Sequence, residues 1–233
     1  MATVGFIEST LLKLVARAVA VRSVETVGAF RIVSFAGADL EGRAWTPGDM
    51  VQLSLGGWTT RAYTPFAFDA RRGTTDVLAY LHGRGIGSTW LENVAPGERC
   101  TFVGPRRAVD LAKLRPTIIF GDETSIGTAA ALATGATTIF EVTSLEARAA
   151  VERLNLTASL VQRTDHDEHL QEVEHQLLAA VHAAPDSRVL LTGKASSIQR
   201  LYKALRRAGM PSRQATNLAY WSSGRKGFSG VQR

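Results

Sequence analysis

Residues 115–135, RPTIIFGDETSIGTAAALATG, read as an apolar run, a glycine-led turn and a small-residue helix, and TTIFEV at 137–142 follows as a second apolar run. A strand rich in β-branched and aromatic residues with little polar alternation is one buried on both faces, as in a parallel sheet covered by helices. The rhythm then repeats. A short helix is expected over 145–154 and another over VEHQLLAAVHAA, with a strand at SRVLLTG. SSIQRLYKALRRAG follows, its Ile198, Leu201, Tyr202 and Leu205 on one side. Such alternation predicts an α/β unit.

Upstream the pattern is different. FRIVSFAG, TPGDMVQLSLGG, the stretch after Arg61, TTDVLAYLHG and PGERCTFVGP are short runs set off by glycine and proline turns, Pro47-Gly48 and Pro96-Gly97 among them. That spacing predicts a small antiparallel β-barrel. Ahead of it, STLLKLVARAVA at 9–20 places Leu11, Leu12, Leu14, Val15, Ala18 and Val19 near one face and predicts a short packed helix. The change of pattern falls within RAVDLAKLRP, so the expected domains are 1–112 and 113–233.

Composition fits this division. With 233 residues the chain can form one large domain or two small ones, and 45% hydrophobic with 21% charged residues describes a globular protein, excluding disorder for the bulk. The net charge of +6 comes from basic residues scattered through the chain, without a basic tail, recognition helix or RNA-binding signature, so no nucleic-acid partner is expected. The lone Cys100 rules out an internal disulfide and a cysteine-based zinc site. No apolar run approaches the roughly 18–20 residues of a transmembrane helix, and Glu8 interrupts the apolar core that a secretory leader needs, so a cytoplasmic setting is expected.

Two stretches carry candidate chemistry in the first half. Arg61-Ala62-Tyr63-Thr64-Pro65 offers a bidentate phosphate donor, an aromatic plate and nearby hydroxyls. Period-two alternation places Arg61, Tyr63 and Pro65 on one side and Thr64 on the other. Residues 81–90, LHGRGIGSTW, put three glycines before Ser88 and Thr89 at a helix start, an arrangement suited to a pyrophosphate. Each stretch is equally compatible with a plain barrel strand and a plain turn. In the second half, Lys194 and the helix residues Arg200, Lys203, Arg206 and Arg207 are candidates for attracting phosphates or an anionic chelate, or form a solvated helix face. Asp165-His166-Asp167-Glu168-His169 with Glu172 and His175 holds metal-ligand types, but the spacing does not converge on one helical face and lacks HExxH, so no metal site is expected.

Taken in order, RAYTP at 61–65, LHG followed by GIGSTW at 85–90, Gly104-Pro105, GDET at 121–124 and YWSSG at 220–224 resemble the siderophore-interacting protein family within the ferredoxin-reductase-like flavoproteins. The resemblance runs from about Val21 to Gly227. It implies an N-terminal barrel binding FAD and a C-terminal domain receiving NADPH or NADH, with nicotinamide reaching the flavin at their interface. It also implies reduction of a ferric siderophore with release of Fe(II). By this resemblance Arg61 holds flavin phosphate, Tyr63 stacks on the isoalloxazine and Thr64 lies near its N5 edge. His82, Gly87 and Ser88 line the pyrophosphate or ribityl region. Gly121, Asp122, Glu123 and Thr124 form the turn at the entrance to the nucleotide site, and Tyr220 and Trp221 are the C-terminal aromatic pair near the flavin. Flavin carries redox chemistry without a protein acid–base pair, so Tyr63, Thr64 and Trp221 are the expected reaction-centre residues.

The chain departs from the family pattern at Arg106-Arg107, at Ser125-Ile126-Gly127 and at Gly193-Lys194, where an acidic residue commonly follows the glycine. Of the candidate cations, Lys194 and Arg200 are the expected substrate-side residues. The alternative readings are a general NAD(P)H:flavin oxidoreductase with another acceptor and a non-enzymatic ligand-binding flavoprotein. A monomer is expected.

Overall fold

The computed structural model describes residues 16–55, 59–83, 85–107, 109–132, 135–224 and the backbone of 230–231. The chain divides into two compact units, one built from residues up to 26 and from 30 to 108, the other from 27–29 and from 109 onward.

Short alternating segments build the first unit. Its strands are β1 (Ala16–Val27), β2 (Phe30–Ala36), β3 (Met50–Ser54), β4 (Thr60–Tyr63), β5 (Pro65–Asp69), β6 (Thr74–Tyr80) and β7 (Arg99–Arg106), in the order β4-β3-β7-β1-β2-β6-β5. The pairings β1–β7, β2–β6, β3–β4, β3–β7 and β5–β6 are antiparallel. One helix, α1 (Gly85–Asn93), lies between β6 and β7 and buries Leu91 in the core beside Val33, Phe35, Leu53 and Phe102. Phe35 meets Phe102 edge to face at 4.7 Å, and burying each such ring stabilises the unit by roughly 1.5–3 kcal/mol.

Two expectations are corrected in this unit. The helix expected over 9–20 does not form at its C-terminal end: Ala16–Ala20 open β1 and pair with Val103–Arg99, while 9–15 lie outside the described residues. Val19 and Val21 alternate into the core, and β7, some eighty residues away, completes the ladder that a local helical pattern does not register. The alternation expected along 61–65 is broken at Thr64. Tyr63 ends β4 opposite Val51, whereas Pro65 opens β5 opposite Val77. Proline has no N–H to extend the β4 ladder and tolerates the first position of a strand. Thr64 therefore joins the two edge strands of the sheet.

The second unit holds β8 (Ile118–Asp122), β9 (Thr137–Val142), β10 (Ala158–Gln162), β11 (Val189–Lys194), β12 (Ala215–Trp221) and β13 (Gly230–Val231), in the order β10-β9-β8-β11-β12-β13. The first five are parallel and β13 is antiparallel. Its helices are α2 (Leu111–Leu114), α3 (Ile126–Leu132), α4 (Arg148–Arg153), α5 (Leu170–Ala183) and α6 (Ala195–Arg207). The α6 stripe Ile198, Leu201, Leu205 packs with Val173 and Leu177 of α5 on Phe120 and Leu191, following the i, i+3, i+7 spacing read from the sequence. From β8 the chain moves outward through β9 and β10, then crosses back to β11 on the other side of β8. The carboxyl ends of β8 and β11 thus flank a topological switch point, where open α/β sheets take their ligands.

Candidate functional site

In the first unit the edge strand β4 and the start of α1 come together. Arg61 is exposed and its Nη1 donates to the Thr60 carbonyl at 2.8 Å. Its side chain crosses Gly87, where a Cβ would stand 3.2 Å from Arg61 Cγ and 3.3 Å from Nε. Glycine thus lets the guanidinium stem lie against the opening turn of the helix. Beside it Ser88 is buried and its Oγ has no hydrogen-bond partner among the described residues. A guanidinium, a helix start with unspent N–H groups and a buried hydroxyl converge on one place, the donor set that a phosphate ester requires. Tyr63 is half-buried, and burial pushes its phenol up to about 12 against the opposing pull of Arg61, so it serves as a neutral ring. Thr64 is half-buried at the strand crossing, and His82 is exposed with its ring 6.4 Å from that of Tyr80.

Arg107, one of the departures from the family pattern, pairs bidentately with buried Asp49 at 2.6 and 2.9 Å and donates to Thr46. It ties the Pro47-Gly48 turn to the end of β7. The Cys100 thiol is buried, and burial, assisted by Glu98, pushes it up to about 11, so it stays a packing residue.

At the switch point of the second unit the register sets Asp122 of β8 opposite Glu141 of β9, both fully buried. Asp122 Oδ1 accepts from the Thr124 amide at 2.9 Å and the Thr124 hydroxyl at 2.5 Å, and Oδ2 accepts from the Trp221 indole N–H at 2.7 Å. Gly193, at φ 95°, presses its backbone onto the same carboxylate: a Cβ there would lie 2.3 Å from Oδ2. Arg163, just past β10, contacts Glu123 at 2.9 Å and Asp122 and Glu141 at 3.6 Å each, and its guanidinium carbon stands 5.8 Å from the Trp221 ring centre. Glu123 also accepts from the Thr143 amide at 2.5 Å. Burial pushes Asp122 up to about 6, against hydrogen bonding from Thr124 and the charge of Arg163. Burial opposes the Arg163 charge, but Glu123, Glu141 and Asp122 outweigh it and hold its pKa above the ordinary value. Tyr220 hydroxyl and Thr128 Oγ1 are 2.8 Å apart, tying β12 to α3.

The structure thus brings Gly121, Asp122, Glu123 and Thr124 together with Trp221, and adds Arg163 and Glu141, which the sequence reading did not single out, and His169, which it weighed only as a metal-ligand type. A charged residue inside the apolar run TTIFEV was the available signal. Glu141 is that residue, and His169 Nε2 meets its Oε2 at 2.8 Å. Among the described residues no group of three or more His, Cys, Asp or Glu is placed to hold a metal.

Lys194 and Arg200 converge on Asp167. Lys194 Nζ lies 2.8 Å from Asp167 Oδ1, and Arg200 donates to the Asp167 carbonyl at 3.1 Å. The Lys194 hydrogen bond holds the Asp167 carboxyl below its usual range despite partial burial. Arg200, Lys203 and Arg207 of α6 line a groove of about 480 Å³ with Ser196, Gln199 and Glu174, and Glu174 faces both arginines, at 3.9 and 3.5 Å.

A seven-stranded antiparallel sheet followed by a helix-flanked parallel sheet is the two-domain fold of ferredoxin-reductase-like flavoproteins. Residues 44–109 match the family model of the siderophore-interacting FAD-binding domain. The matched span contains RAYTP, GIGSTW and Gly104-Pro105, which bears out the resemblance read from these motifs. No curated protein sequence matches the chain. Among solved structures, the siderophore-interacting protein SipS from Aeromonas hydrophila superposes with a TM-score of 0.74 at 18% identity, covering 91% of this chain and 93% of that one. A siderophore utilization protein from T. fusca gives 0.68 at 21% identity, with 92% and 95% covered. The ferredoxin reductase in carbazole 1,9a-dioxygenase gives 0.70 at 18%, with 88% and 69% covered. No helix among the described residues is long and apolar enough to cross a membrane.

Proposed function

We propose that the protein is an FAD-dependent reductase that takes electrons from NADPH or NADH and delivers them to a ferric siderophore, releasing Fe(II). The observation that supports this reading most directly is the cradle of Arg61, Gly87 and Ser88 lying inside the span that matches a siderophore-interacting FAD-binding domain. The residues fit the cofactor: among the described residues Ser88 has a hydroxyl without a hydrogen-bond partner and Arg61 is engaged by a backbone carbonyl and no carboxylate, while Gly87 leaves the room in which the Arg61 stem lies. In this reading Arg61, Gly87 and Ser88 hold phosphate, Tyr63 and Thr64 border the ring system, and His82 lies at the rim. When bound, FAD supplies two-electron acceptance from a nicotinamide and one-electron delivery to iron.

The protein's own part is binding and orientation. Tyr63 offers an uncharged aromatic face at neutral pH, so it borders a planar ring without donating a proton. Gly121, Asp122, Glu123 and Thr124 border the nucleotide site at the switch point, with Tyr220 and Trp221 beside it on β12. Lys194 and Arg200 are the substrate-side cations of this reading, and both are already engaged by Asp167.

An anaerobic spectral titration tests every step on one sample. The purified protein should carry or take up FAD, bleach with NADPH or NADH, and recover its oxidised spectrum when a ferric siderophore is added, with Fe(II) trapped by a chelating dye. Failure to bind FAD on reconstitution refutes the reading. Reoxidation by simple quinones but not by ferric siderophores replaces it with a general NAD(P)H:flavin oxidoreductase.

A further inference from the structure

Beyond its part in the fold, the buried charge cluster at the switch point has an unusual composition. Asp122 and Glu123 come from the end of β8 and the turn after it, Glu141 from β9, Arg163 from the segment after β10 and His169 from the start of α5. Three carboxylates face one guanidinium. The imidazole does not restore the balance: His169 Nδ1 accepts from the Thr164 amide at 3.3 Å, so the ring proton lies on Nε2 and is donated to Glu141. Glu141 Oε1 is left with no hydrogen-bond partner. Glu123 takes the short contacts of Arg163 and the Thr143 amide, leaving Asp122 with the long 3.6 Å contact.

Asp122 is also the member of the cluster that holds Trp221. Its Oδ2 holds the Trp221 indole N–H, and Trp221 pairs in register with Lys194 at the carboxyl end of β11. An indole N–H is a donor only and needs an acceptor wherever it is buried. We propose that Asp122 and Arg163 are positioning residues that latch Trp221 beside the nucleotide site, and that the latch is proton-linked: held while Asp122 is ionised and let go when Oδ2 takes a proton. Protonation removes the negative charge of Oδ2 and leaves it a weaker acceptor, so the charge-assisted bond to the indole N–H is lost and the ring is released from the carboxyl. Arg163 serves the latch twice, by favouring the ionised form and by lying against the face of the same indole.

The role assigned to Trp221 rests on the nucleotide-site reading above, whereas the latch is testable without it. The probe is the indole ¹H–¹⁵N signal of Trp221 in the full chain labelled at tryptophan, identified by its disappearance in W221F and followed from pH 5 to pH 8 with no nucleotide present. It should move in one step with a midpoint near pH 6, the range into which burial pushes Asp122. In D122N the step should vanish. In T124V, which removes one donor to Oδ1 and leaves Arg163 in place, the midpoint should rise, and it should rise further in R163M while R163K restores most of the original value. The pH dependence of KM for the reducing nucleotide should follow the same midpoint and be lost in W221F, with kcat moving less. A Trp221 signal that does not titrate, or one that titrates identically in D122N and T124V, overturns the latch. A titrating signal in a protein that no nicotinamide nucleotide reduces leaves the latch standing and removes the reductase reading.

Discussion

Replacing Arg163 with methionine removes the cation that faces Asp122, Glu123 and Glu141 while keeping most of the apolar stem. Breaking a buried ion pair by deleting one partner costs about 3–5 kcal/mol, because the remaining charge stays buried without compensation. The loss should depend on pH, and its sign follows from Asp122. That carboxyl ionises near 3.8 in the unfolded chain and near 6 in the folded one. The native state therefore binds more protons between those values, and stability falls as pH rises from about 4 to 6 and then levels. An opposite charge within about 4–6 Å shifts a carboxyl by about 1–3 pK units, so without Arg163 the decline should continue past pH 6. The gap between wild type and R163M should then be wider at pH 8 than at pH 5 by about 1–3 kcal/mol, at about 1.4 kcal/mol per unit over the two units that separate pH 6 from pH 8. Hydrogen exchange read on the β8 and β9 peptides isolates the second unit from the first. An R163M protein equally destabilised at pH 5 and pH 8 refutes the linkage, and one as stable as wild type refutes the cluster.

Arg61→Ala should weaken FAD binding by about 10- to 150-fold, the equivalent of one or two charge-assisted hydrogen bonds worth about 1.5–3 kcal/mol; fluorescence titration of the apoprotein checks it, and unchanged affinity removes Arg61 from the cradle. Gly193→Ala places a Cβ at 2.3 Å from Asp122 Oδ2 in a backbone region that side chains avoid. It should destabilise the second unit by about 1–3 kcal/mol or more and shift the Trp221 indole signal, measured by urea unfolding and by NMR. Asp167→Ala should cost no more than about 1 kcal/mol, since the pair with Lys194 is partly exposed. That small loss should be present above about pH 4 and fade as Asp167 protonates at lower pH. The same variant frees Lys194, so KM for NADPH should fall relative to NADH in steady-state assays.

The fold was legible wherever the chemistry of an element is local. TIIF and TTIFEV are legible as strands because β-branched and aromatic residues dominate them, Glu141 being the single charge, and the α6 stripe declares its buried face by spacing alone. The residues 16–20 were not, because ARAVA supports either period and β7, which decides between them, lies far along the chain. The same division holds for the site. Arg61, Gly87 and Ser88 announce themselves by residue type near a helix start, and GDET by its place after a strand. Arg163 carried no such mark, since a basic residue after a strand reads as surface until parallel register sets Asp122, Glu141 and the end of β10 side by side.

The arginines of this chain sort by what holds them, and that sorting bears on the excess of positive charge. Arg107 is clasped by Asp49, Arg163 by three carboxylates, and Arg200 and Arg207 share Glu174. Each is committed to the fold to the degree that its acid partner is buried, because a buried carboxylate that loses its cation carries the full desolvation cost. Arg61, like Arg31, Arg188 and Arg206, holds a backbone carbonyl and no carboxylate among the described residues, but it alone of these lies exposed over a glycine beside an orphaned serine hydroxyl. A cation with no carboxylate to satisfy among the described residues is one that a phosphate can engage without breaking an ion pair. In the proposed function Arg61 is therefore the arginine assigned to hold a ligand, whereas Arg163 is proposed to act on one only through the tryptophan it supports.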